Sequence, residues 1–96
     1  MKALQSTVDG ELTIVTVAAQ NQRLQALLTG DAAVSVDLSG VTEVDTAGLQ
    51  VLLLAVREAE RVGVPLQFHS PSAPVRAVLD LTGLTDEVCS PEMSQA

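Results

Sequence analysis

Apolar positions follow two rhythms along the chain, and the switches between them outline the elements. Ala3–Val8 and Glu11–Val17 flank Asp9-Gly10, a dipeptide that favours the positive φ angles of a two-residue turn, so a β-hairpin is predicted there. Leu24, Leu27 and Leu28 then recur at helical spacing within residues 19–29, with Asn21 as cap and Gly30 as stop. Ala33–Leu38 is short and rich in β-branched residues, the signature of a strand covered on both faces, and Ser39–Val44 reads as a loop. The strongest helix spans 46–62 and ends at Gly63-Val64-Pro65, where glycine accepts a left-handed cap and proline disfavours helical geometry before it. Leu66–His69 is a further strand. Ser72 caps a third helix that runs to Thr82, with Pro74 in its first turn, Val75, Val78 and Leu79 inward, and Gly83 as terminator. Glu87–Cys89 is read as a short final strand. This alternation predicts an α/β fold: a single mixed sheet of four to five strands, with an N-terminal hairpin and three to four helices packed against it.

On a 3.6-residue period the 46–62 helix puts Leu49, Leu52, Leu53, Val56 and Ala59 on one stripe, the expected core face. Gln50, Arg57, Glu58 and Arg61 point the other way, and Val51 and Leu54 fall on that polar side. Two aliphatic side chains on a charged face suggest a docking patch. Single surface leucines are also ordinary, and another helix covering Val51 would remove it from the patch.

At 96 residues the chain is long enough for one modest core, so one domain is expected over 1–90, followed by a polar tail at 91–96. Phe68 is the only aromatic residue, and the core must therefore be aliphatic. A net charge of −7 with five basic residues, none clustered, argues against nucleic acid and against anionic membrane surfaces. The longest apolar run, Val51–Val56, falls far short of the roughly 20 residues that span a bilayer. Cys89 is the one cysteine, and the N-terminus lacks a secretory pattern, which fits a cytoplasmic protein. Neither His69 nor Cys89 has a visible catalytic partner, so no enzymatic activity is expected. Asp37, Glu43 and Asp45 read as an acidic rim rather than a metal site, and no cofactor is implied.

The chemistry concentrates at Asp45-Thr46-Ala47-Gly48. Asp45 suits the N-cap, its carboxylate accepting from the free amides near Gly48, and Thr46 presents a hydroxyl in the first turn. Gly48 costs helix stability of up to about 1 kcal/mol relative to alanine, which close approach of another backbone would justify. The segment is neither a phosphate loop nor a nucleophile elbow. By itself it serves equally as a plain helix cap.

The run VSVDLSGVTEVDTAGLQVLLLAVREAERVGVPLQF followed by SPSAPVRAVLDLTGL resembles the STAS domain of sulphate transporters and bacterial anti-sigma-factor antagonists over Ala33–Leu84. The N-terminal third, with Ala18-Ala19-Gln20-Asn21-Gln22 opening the first helix, departs from the family pattern. The resemblance implies a non-enzymatic binding module in which a partner kinase phosphorylates the hydroxyl after the aspartate, here Thr46. Its expected partner surface comprises Ser39, Gly40, Asp45, Thr46, Ala47, Gly48, Gln50, Val51 and Leu54, facing a kinase-type anti-sigma factor. The DTAGL wording is similar also to STAS subunits of lipid-transporting ABC systems, where the partner is the ATPase, and to chemotaxis-linked STAS proteins. A monomer or weak dimer is expected, since an N-terminal edge strand can pair with a second copy.

Overall fold

The computed structural model describes residues 3–89; the polar tail expected at 91–96 lies outside them. Its elements are β1 (Ala3–Thr7), β2 (Gly10–Leu12), α1 (Val17–Leu27), β3 (Ala33–Asp37), β4 (Val41–Val44), α2 (Thr46–Val62), β5 (Leu66–His69), α3 (Ala73–Thr82) and α4 (Thr85–Val88). The α/β class is as expected, with four helices around a small parallel sheet.

Three strands lie in the order β1-β3-β5, and β2 pairs with β4; both ladders are parallel. The expected N-terminal hairpin is therefore absent. A type I′ turn needs positive φ at both central residues, yet at this bend only Gly10 is left-handed, at φ 77°. The chain bends once and continues forward, and β1 and β2 run as one kinked path beside the kinked path of β3 and β4. Val8 N–H to the Asp37 carbonyl (3.1 Å) and Gly10 N–H to the Gly40 carbonyl (2.9 Å) stitch the two bends together. Among the described residues the pairing is consequently all parallel, in a three-stranded and a two-stranded ladder rather than the one mixed sheet expected.

Three other expectations are corrected. Val41–Val44 is a strand rather than a loop, its polar Thr42 and Glu43 facing solvent while Val41 is buried. Glu87–Cys89 belongs to a helical turn, because Val88 N–H and Cys89 N–H donate to the carbonyls of Leu84 and Thr85 at 3.2 and 2.7 Å. The first helix also begins earlier than Asn21, at Val17, with Thr16 at its cap position.

The remaining helices obey their local signals. Asp45 caps α2 and Gly63 ends it at φ 78°; Ser72 accepts from Val75 N–H to cap α3 and Gly83 ends it at φ 73°. The core is aliphatic apart from Phe68, with Leu12, Leu38 and Leu52 fully buried. Helix α2 packs on β2 and β4 and also touches α1 and α4.

Candidate functional site

Asp45 is extended, at φ −123° and ψ −172°, which aims its carboxylate back over the start of α2. Gly48 N–H donates to its Oδ1 at 2.9 Å, and Ile14 N–H, from the β2–α1 loop, donates to its Oδ2 at 2.9 Å. One carboxylate thus closes the helix terminus and ties a loop 31 residues away to it. The Ile14 amide first, then the Gly48 amide, hold the Asp45 carboxyl below its ordinary range.

Gly48 is buried against β2. A Cβ there would overlap the Leu12 carbonyl oxygen, so the glycine permits the backbone approach its position in the first turn suggested. Asp45 N–H also donates to that Leu12 carbonyl at 3.3 Å.

Thr46 is exposed at the first position of α2, and Gln50 and Leu54 are exposed on the following turns. Leu54 remains 48% exposed, as expected; Val51, expected on the polar side, is only 5% exposed. Helix α1 packs against α2 and removes Val51 from water, leaving it as the floor of a groove. That open groove, about 380 Å³, is lined by Val17, Ala18, Asn21, Ala47, Gln50, Val51 and Leu54. Of the expected core stripe, Leu49, Leu52 and Ala59 are buried, whereas Leu53 and Val56 are only partly so.

Ser39 and Gly40 do not join this cluster. They precede β4, whereas Thr46 follows it, and four strand residues separate the two ends by about 13 Å. Ser39 N–H donates to Asp37 Oδ1 at 2.7 Å, which lowers the Asp37 carboxyl below its usual range. Gly40 abuts the Asp9 carboxylate.

The sequence reading missed the α1 wall of the groove, Val17, Ala18 and Asn21, and the turn that precedes it. Ile14 and Val15, assigned there to a strand, are 69% and 82% exposed in a turn held by its own hydroxyls. Thr13 N–H donates to Thr16 Oγ1 at 3.0 Å, and Val15 N–H to Thr13 Oγ1 at 3.3 Å. The signal was present: three hydroxyl-bearing or acidic residues, Glu11, Thr13 and Thr16, interleave with the apolar ones and compete locally for the backbone.

His69 Nδ1 lies 2.9 Å from Ser70 Oγ, and burial pushes the Cys89 thiol up. Among the described residues no three His, Cys, Asp or Glu side chains approach closely enough to share a metal ion, and no helix is long and apolar enough to cross a membrane.

Residues 3–91 match the family model described as "Mlab, STAS domain". No curated protein matches the chain. Among solved structures, the anti-sigma factor antagonist SpoIIAA in its unphosphorylated form is 22% identical, with a TM-score of 0.68 over 95% of this chain and 79% of that one. The SulP transporter STAS domain from Vibrio cholerae is 13% identical, with a TM-score of 0.67 over 93% and 70%. The murine Slc26a9 anion transporter in its inward-facing state is 22% identical, with a TM-score of 0.72 over 88% of this chain, which spans only 14% of the transporter. At such identities the likeness is one of fold.

Proposed function

The chain belongs to the STAS-domain family, and on that premise we propose that it is a cytoplasmic, non-enzymatic protein-binding module switched by phosphorylation of Thr46. The observation that carries this reading is the exposed Thr46 hydroxyl at the head of α2, beside an apolar groove and in front of an already occupied cap. The partner is a kinase-type anti-sigma factor, and the fold shared with SpoIIAA, solved in a form named as unphosphorylated, supports it.

In the unmodified state the partner packs over Thr46, Ala47, Gln50 and Leu54. The kinase transfers a phosphoryl group from ATP to Thr46 Oγ1, whose proton is released, adding about −1.5 to −2 charges at pH 7. The helix dipole favours an anion there, but Asp45 already holds the Gly48 and Ile14 amides, and Asp45 itself is anionic. The phosphate gains little from the helix and must keep its water. Covering it with an apolar partner surface costs several kcal/mol, more than the roughly 0.3–1 kcal/mol the dipole returns, so the partner leaves.

Incubation with the cognate kinase and ATP should add one phosphate by intact mass, lost in Thr46→Ala. Thr46→Glu should weaken partner binding at least about tenfold. An unmodified Thr46 together with wild-type affinity for Thr46→Glu would sink the switch.

A second reading is favoured by one observation, the "Mlab" description of the matching family model: a constitutive subunit on the ATPase of a lipid-transporting ABC system. It predicts stable co-purification with an ATPase and no phosphate on the protein.

A further inference from the structure

Strand β1 ends the three-stranded sheet, with β3 on one side and, among the described residues, no strand on the other. Every residue of it except Ser6 is exposed, Leu4 at 43%. Free edges of this kind are commonly blunted by charges or proline, because their amides and carbonyls template the addition of another strand. The run Ala3-Leu4-Gln5-Ser6-Thr7 has neither. Two hydrogen bonds fix which of its main-chain groups face outward. In a parallel ladder alternate residues turn those groups toward the neighbouring strand. Val8 N–H donates to the Asp37 carbonyl at 3.1 Å, so Leu4 and Ser6 also turn toward β3, and Ala3, Gln5 and Thr7 turn away from it.

The Thr7 carbonyl is met from that outer side by Arg23 of α1, whose Nη2 donates to it at 3.0 Å. The same nitrogen donates to Ser6 Oγ at 3.2 Å, and Nη1 donates to Gln20 Oε1 at 2.9 Å. The guanidinium is thus held over one end of the edge, while Gln5, at its centre, makes no such contact among the described residues. Outward groups at Ala3, Gln5 and Thr7 are spaced evenly about Gln5. A second copy laid antiparallel sets Gln5 against Gln5 and Ala3 against Thr7, so every outward N–H meets a carbonyl. That is the two-fold, self-complementary arrangement that closes a dimer. The strand carries no charge, so no like charges face each other there, on a chain whose net charge of −7 elsewhere repels its own copy. Arg23 holds the acceptor that Ala3 of the second copy needs.

We propose that the β1 edge is an interface for a second copy of this chain, paired antiparallel about Gln5, and that Arg23 weakens it by holding the Thr7 carbonyl. The interface is small, one five-residue strand from each copy, and therefore weak. It uses none of the residues of the Thr46 surface and does not rest on that reading.

The test measures self-association of the full chain by sedimentation at concentrations up to about 1 mM. Wild type should dimerise weakly. Gln5→Pro removes an outward N–H and leaves the β1–β3 pairing intact, so it should stay monomeric. A net hydrogen bond changes an equilibrium constant about two- to tenfold, and dimerisation breaks one Arg23 contact in each copy, so Arg23→Ala should dimerise at least about tenfold more tightly. Loss of that cation makes each copy more negative, so charge does not account for a tighter dimer. Gln5→Pro added to Arg23→Ala should restore the monomer. In Arg23→Ala the Gln5 amide should exchange more slowly as concentration rises, while the Ser6 amide stays unchanged. A wild type as monomeric as Gln5→Pro, an Arg23→Ala dimer no tighter than wild type or indifferent to Gln5→Pro, or Gln5 exchange independent of concentration overturns the proposal. Wild type against Gln5→Pro decides the interface even where Arg23→Ala does not fold.

Discussion

Asp45 divides its two carboxylate oxygens between the α2 terminus and the β2–α1 loop, so its charge state reaches both. Its folded pKa is depressed, chiefly by the Ile14 amide. Below the unfolded value near 3.8 the unfolded chain binds the proton more readily, so stability present above that pH is lost as pH falls through the folded pKa. Asp37, lowered by the Ser39 amide, acts with the same sign. Urea titrations between about pH 5 and pH 2 should therefore show falling stability, and Asp45→Asn should flatten part of that slope. An unchanged slope would contradict the cap's role. Gly48 supplies a second residue-scale test. Alanine there gains up to about 1 kcal/mol of helix propensity, but its Cβ meets the Leu12 carbonyl, and backbone overpacking costs about 1–3 kcal/mol. Denaturation should find Gly48→Ala less stable than wild type; equal or greater stability would show that β2 yields easily.

The two helices that form the groove are anchored unequally. Helix α2 has a side-chain cap and six buried residues, whereas α1 has no side-chain cap hydrogen bond and only Leu24 fully buried. Amide hydrogen exchange should accordingly be faster in α1 than in α2; uniform protection across both helices would count against this. The same contrast explains what was legible. The bounds of α2, α3 and β5 follow from caps, periodicity and the Gly63 and Gly83 stops, all of which act within a few residues. The α1 start was missed because the Thr16 hydroxyl is bonded to Thr13 and Glu11 in the preceding turn and makes no cap hydrogen bond, and β4 was missed because its central Thr42 and Glu43 face water.

For the whole molecule, the chain runs forward twice over the same route: β1 into β2, then β3 into β4. This double path sets Leu12 beside Gly48 and Ile14 beside Asp45, and it places Ser39 and Gly40 at the far end of β4 from Thr46. The sequence by itself determined the α/β class, helices α2 and α3, the Asp45 cap and an exposed Leu54, because spacing and capping are local physics. Tertiary structure alone decided that Asp9-Gly10 bends rather than reverses the chain, that α1 covers Val51, and that Ile14 and Val15 stand exposed in the turn before α1. Those outcomes depend on contacts between residues distant along the chain, as when Ile14 meets a carboxylate 31 positions away, and no local pattern encodes them.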